Sequence, residues 1–153
     1  EAEIILYGVS MGGATVMMVS GEELPTNVKA IVEDCGYTST SDIFTYQLKD
    51  LFNLPKFPVI PAASIVTKIR AGFYLEEASA LKQVAKSKTP IYFIHGDADA
   101  FVPFSMLDEV YNAANCPKDK FVVSGAGHGY ASSIAGETYW DNVFNFVNQY
   151  MNK

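Results

Sequence analysis

Ile4-Ile5-Leu6-Tyr7-Gly8-Val9-Ser10-Met11-Gly12 is the stretch that decides how this chain folds. Four apolar residues, two of them β-branched, suit a strand buried on both faces. The next five fit G-x-S-x-G, and residues 12–20 carry helical periodicity directly behind them. A strand-to-helix reversal in so few residues forces strained backbone angles at Ser10, and glycines at 8 and 12 are expected to remove side chains that would collide there. The reversal lifts the Ser10 hydroxyl above the sheet. It also leaves the N–H of Met11 at a helix N-terminus, facing any oxyanion that develops beside the serine.

A serine hydroxyl needs a base to take its proton, and the chain has two histidines. His128 lies in Gly125-Ala126-Gly127-His128-Gly129 beyond the last strand, on a loop able to carry an imidazole to Ser10. His95 ends a strand before Gly96, where a ring satisfied by backbone is the commoner outcome, so His128 is the preferred base. The imidazole in turn needs a carboxylate to fix its tautomer. Asp97 and Asp99 follow the third strand in His95-Gly96-Asp97-Ala98-Asp99; Glu33 and Asp34 end the second. Asp99 is preferred because it lies deeper in its loop. Asp97 suits a turn that caps the backbone after Gly96, and Asp34 remains second choice, though it also suits a solvated loop acid. The glycines at 125, 127 and 129 do not make a dinucleotide fingerprint, since no βαβ unit opens there. No ligand spacing suggests a metal, and no cofactor is implied.

Outward from the serine, apolar runs at 4–7, 28–32, 91–94 and 121–123 predict four strands, and helical periodicity at 12–20, 77–86, 104–114 and 137–151 predicts the helices between and after them. Alternation of this kind predicts a single α/β domain over 1–153 with a mostly parallel sheet. In the last helix Trp140, Val143, Phe144, Val147 and Met151 form a stripe expected to face the core. About fifty residues separate the second and third strands, far more than one crossover needs. Two stripes fill that gap: Ile43, Phe44, Leu48, Leu51 and Phe52, then Ile65, Val66, Ile69 and Phe73, with Pro61 placed to start the second helix. Residues 42–75 are therefore an inserted helical pair, either ordinary covering helices or a lid over an apolar pocket.

The 153 residues are 49% hydrophobic and 18% charged, with 17 acidic against 11 basic side chains and a net charge of −6. This balance supports an ordered globule and argues against a nucleic-acid or anionic-lipid surface. Lys82, Lys86 and Lys88 suit one solvated face. Cys35 and Cys116 are too far apart in sequence for a disulfide framework or zinc knuckle, which favours a reducing, cytoplasmic setting. No run reaches the roughly 18 apolar residues that a membrane span requires. The chain opens with Glu1 and enters a strand at once, so it is expected to be a piece of something longer.

The elbow at 8–12, the His95-Gly96-Asp97-Ala98-Asp99 and Val102-Pro103 segment, and the Gly127-His128-Gly129 loop, in the order Ser, Asp, His, resemble the α/β-hydrolase family. The style of the segments is similar to bacterial members described as serine aminopeptidase-like or lysophospholipase-like. The resemblance implies the C-terminal part of that fold, strands five to eight of an eight-stranded sheet, with 42–75 where the family places its variable cap. It implies Ser10 as nucleophile, His128 as base and then acid, Asp99 as orienting carboxylate and Met11 N–H as one oxyanion donor. In the family the second donor comes from a loop after the third strand, outside this chain, so the isolated chain is expected to be feebly active. The expected substrate is a small-molecule carboxylic ester or related acyl compound. A peptidase of the same fold, or a non-catalytic binding module, remain as alternatives. Self-association through the exposed first strand is also expected.

Overall fold

The computed structural model describes residues 2–151. Four strands, β1 (Ile4–Val9), β2 (Val28–Asp34), β3 (Ile91–Gly96) and β4 (Lys118–Val123), form one parallel sheet in the order β1-β2-β3-β4. Each is longer than the apolar run that marks it in the sequence. β4 gains most, because its first three residues, Lys118, Asp119 and Lys120, are charged. Charge on an edge strand discourages pairing with another chain. The opposite edge lacks that protection: Ile4, Tyr7 and Val9 of β1 are exposed.

Helices lie on both faces, and the two-residue period of the strands sorts side chains between them. Ala30, Val32, Tyr92, Ile94 and Val123 pack against Tyr139, Val143, Phe146 and Val147 of α7 (Glu137–Val147). On the other face Ile31, Ile91 and Phe93 pack against Met17 of α1 (Met11–Val19), Val84 of α4 (Ala80–Val84), and Leu107 and Val110 of α5 (Ser105–Ala113). Of the stripe expected to turn α7 toward the core, Val143 and Val147 do so. Trp140 and Phe144 are exposed and stack instead on their neighbours, Trp140 on Tyr7 and Tyr139. The buried face of α7 is set by Tyr139 and Phe146, one residue earlier and two later. A further short helix, α6 (Ala131–Ala135), precedes α7 and is too brief for periodicity to reveal.

The insertion comprises α2 (Thr40–Phe52) and α3 (Lys56–Ala71), followed by a single 3₁₀ turn, Leu75–Glu77. Ser39 caps α2, accepting the Asp42 N–H at 3.0 Å. Pro61 does not start the second helix. Phe57 is extended, so the continuous helix begins at Pro58, and Pro61 falls in its first turn, where a missing N–H costs least. The apolar stripes are only partly covered: Ile43 of α2 is buried against Val102 and Met106, whereas Phe44, Leu51 and Phe52 of α2 and Ile65, Val66 and Ile69 of α3 are exposed, as is Phe73 beyond it. Among the described residues no helix is long and apolar enough to cross a membrane.

Candidate active site

All the candidate groups gather at the C-terminal ends of the strands, where an open α/β sheet forms its crevice. Ser10 leaves β1 with φ 57° and ψ −117°, a left-handed conformation that costs a side-chain-bearing residue on the order of 1–3 kcal/mol. Its N–H is tied to the Asp34 carbonyl at 2.8 Å, so the neighbouring strand holds the strained residue in place. Met11 opens α1, and its N–H is among those a helix leaves without an internal partner. The two glycines of the motif differ. A Cβ on Gly8 would stand 2.1 Å from the Gly12 carbonyl oxygen, whereas one on Gly12 would meet nothing within 4 Å; the second tight position is Gly13, 2.9 Å from the Asp34 carbonyl oxygen.

The loops after β3 and β4 are stitched to each other. Asp97 N–H donates to the Val123 carbonyl, Ala98 N–H to the Ala126 carbonyl, and Gly125 N–H to Asp97 Oδ1 at 2.6 Å. Asp97 is thus a turn acid whose cap reaches across to the histidine loop, not back along its own. Gly96 permits the crossing, because a Cβ there would lie 2.0 Å from the Ala126 carbonyl oxygen. This stitching sets Asp99 against His128: Nδ1 and Oδ2 are 2.8 Å apart, and His128 Nε2 is 2.8 Å from Ser10 Oγ. A carboxylate can only accept, so Nδ1 carries the proton and Nε2 is left to accept from the serine.

Asp99 is buried, and burial alone would raise its pKa. Hydrogen bonds from His95, His128 and the Val102 N–H outweigh that and hold the carboxyl below its ordinary value. Its other oxygen, Oδ1, accepts two backbone bonds, from Phe101 and Val102 N–H, each at 2.9 Å. His95 is fully buried and, as its place at the strand end implied, bonded to backbone. Its Nε2 lies 3.1 Å from the Val102 carbonyl and 3.3 Å from Asp99 Oδ2, placing it behind the carboxylate and away from the serine. Helix α2 braces the same loop, Tyr46 Oη donating to the Ala100 carbonyl at 3.0 Å and Gln47 Nε2 to that of Phe101. The Phe101 ring lies against His128 with centroids 4.9 Å apart.

Asp34 is not a solvated loop acid. It is buried, accepts the Tyr139 hydroxyl at 2.8 Å, and burial raises its pKa; Tyr139 and Tyr7 hydroxyls are 2.9 Å apart. Glu33 beside it is fully buried and accepts the Gly36 N–H at 3.0 Å. Burial pushes its carboxyl up to about 8, against the opposing pull of the Gly36 bond and of His95. Nothing along the chain signals this burial, since alternation alone cannot tell a buried strand-end acid from an exposed one. In the unfolded chain the same carboxyl loses its proton near 4.5. Between those values the native state holds a proton that the unfolded state has released, so this group makes stability fall as pH rises. Thermal melts across that interval are expected to show a shallower decline for Glu33→Gln than for the wild type, and equal slopes would refute the assignment.

Cys35, next along the chain, is buried at φ 48°. Its sulfur lies with Asp99 and His128 in a set of ligand-type atoms all within 4.8 Å of one another. The donor set fits a resident metal poorly. Nδ1 and the carboxylate are already bonded to each other, and burial pushes the thiol up to about 12, whereas a ligating sulfur must lose its proton.

The chain is 26% identical over 142 residues to the Bacillus subtilis protein YqkD, covering 93% of this chain and 47% of that protein. It is 24% identical over 147 residues to Escherichia coli YfhR, covering 94% and 45%. Both relatives are uncharacterized, and the chain spans about half the length of the curated relatives it matches. Among solved structures it resembles the Pyrococcus horikoshii acylaminoacyl peptidase with a TM-score of 0.73 at 17% identity, over 99% of this chain and 24% of that one. It also resembles a Pyrococcus furiosus esterase with a TM-score of 0.71 at 18% identity, over 98% and 55%. These likenesses are of fold: the α/β-hydrolase fold, as the sequence motifs implied. The prolyl oligopeptidase family of peptidase S9 matches residues 1–153 throughout, and the chain belongs to that family of hydrolases.

Proposed function

We propose that the protein is a serine hydrolase that cleaves carboxylic esters or related acyl compounds through a covalent acyl-enzyme. The observation that carries this is the 2.8 Å approach of Ser10 Oγ to His128 Nε2 from a serine in strained backbone. Ser10 would pass its proton to Nε2 as Oγ bonds to the acyl carbon, while the Met11 N–H faces the oxygen taking up charge. The departing alcohol would leave with the proton from Nε2. Water would then repeat the sequence to free the acid. Asp99 holds the ring and balances its transient charge. A second oxyanion donor would come from a part of the protein outside these residues, so activity belongs to the longer protein and is weak in this chain alone. A fluorophosphonate probe applied to the full-length protein is expected to add its mass to Ser10; a protein left unmodified there would favour a non-catalytic binding role and overturn the proposal.

A peptide substrate is the second reading, favoured by the family's name and by the peptidase among the fold neighbours. Parallel assays with p-nitrophenyl esters and aminoacyl p-nitroanilides separate the two. We also propose that the chain by itself pairs with a second copy through the open, apolar edge of β1, where Ile4, Tyr7 and Val9 are exposed. Light scattering should then give a mass that rises with concentration, and a monomer at every concentration would rule the pairing out.

A further inference from the structure

Helix α3 is amphipathic in the wrong sense for a helix that ends in water. Its inner face is fixed to the protein through buried Ile60 and Ser64; the serine hydroxyl donates to Glu76 at 2.6 Å and accepts the Leu75 N–H at 3.0 Å. A surface helix normally turns polar residues outward from such a contact. Here the opposite face, at three- and four-residue spacing, presents Ala62, Ile65, Val66 and Ile69. Ile65 is 56% exposed, Val66 55% and Ile69 79%, and Phe57 just ahead of the helix turn is 76% exposed. At 100° per residue, Arg70 and Lys68 fall on the two flanks of that stripe.

Charge is segregated in the same way. All seventeen acidic residues of the chain lie outside 51–75, whereas Lys56, Lys68 and Arg70 lie within it. The net charge of −6, which argued against an anionic surface, therefore averages an acidic body with a basic, apolar segment. Lys68 keeps its ammonium near the helix end, on the Gly72 carbonyl at 2.8 Å and over the Tyr74 ring, with Glu77 at 3.8 Å. A wide apolar face bordered by Lys and Arg suits the boundary between lipid headgroups and acyl chains, with the helix lying flat.

We propose that the outer face of α3 docks on an anionic lipid surface. The apolar stripe supplies burial among acyl chains, and the basic flanks supply attraction to negatively charged headgroups. Arg70 and Lys68 on the two flanks favour an anionic surface over a second copy of the same face, which would bring like charges together. The inference is independent of the hydrolase proposal, because it requires nothing of Ser10.

The test is sedimentation of the full-length protein with vesicles. Binding is expected to mixed phosphatidylglycerol and phosphatidylcholine, to fall with added salt, and to be much weaker on phosphatidylcholine alone. Ile69→Glu and the double change Lys68→Gln, Arg70→Gln should each lower partitioning by roughly tenfold or more, Ile69→Glu with unchanged melting. Val66→Glu, a second exposed position, guards against a local fault at 69. No binding to the mixed vesicles, equal binding to both kinds, or binding that survives both glutamate substitutions would overturn the proposal. So would a dimer that Ile69→Glu converts to monomer without any vesicle binding, which would assign the face to a second copy.

Discussion

Replacing Asp99 with asparagine is expected to lower the hydrolytic rate of the full-length protein about 10⁴-fold while leaving the fold in place. The reason lies in how the carboxylate is held. Oδ1 accepts from two backbone N–H groups, Phe101 and Val102, and Oδ2 accepts from His128 Nδ1 and lies 3.3 Å from His95 Nε2. An asparagine oxygen will keep the two backbone donors, since turning the amide would set its own N–H groups against them. Its nitrogen then faces His128 Nδ1, which must become the acceptor, and the proton moves to Nε2. That nitrogen can no longer take the serine proton. Asp97→Asn is the contrasting variant: Asp97 accepts the Gly125 N–H through one oxygen, an asparagine keeps that bond, and a loss of less than about tenfold is expected. Ester hydrolysis and the rate of fluorophosphonate labelling both measure this, and equal losses in the two variants would refute the assignment of Asp99.

The grouping of Ser10, His128 and Asp99 was legible because each position leaves a local trace. A reversal between strand and helix demands glycine at Gly8, and a base that must reach over the sheet demands a loop such as 125–129. The environment of β2 left no such trace. Glu33, Asp34 and Cys35 are ordinary residues in sequence, and only their neighbours, Tyr139 from a helix a hundred residues on and Gly36 beside them, make them a buried polar layer under the site. The outer helices misled for a related reason. Periodicity reports that a helix has an apolar face but not what that face meets. The stripe of α7 therefore split between core and surface at Val143 and Trp140, and that of α3 pointed away from the body altogether. What reads as core-facing is only apolar until a second surface is in view.

Gly8→Ala is expected to be among the most damaging small substitutions in the chain, and Gly12→Ala one of the mildest, although the five-residue motif treats the two glycines alike. The added methyl at position 8 would sit 2.1 Å from the Gly12 carbonyl oxygen and 2.8 Å from the Gly13 nitrogen, both backbone atoms of the first turn of α1. No rotamer can relieve a clash with backbone, so α1 must move off the end of β1 or the turn must open. Either movement withdraws the tie between Ser10 N–H and the Asp34 carbonyl that holds the serine at φ 57°. We expect a loss of more than about 3 kcal/mol of stability, together with loss of Ser10 labelling in whatever protein remains folded. At position 12 the methyl meets nothing within 4 Å, and alanine favours a helix over glycine, so stability should rise by up to about 1 kcal/mol. Denaturant melts of the pair decide the point. If the two alanines behave alike, then the packing of α1 on the end of β1 is not what keeps Ser10 raised, and its strain must be held by the Asp34 carbonyl alone.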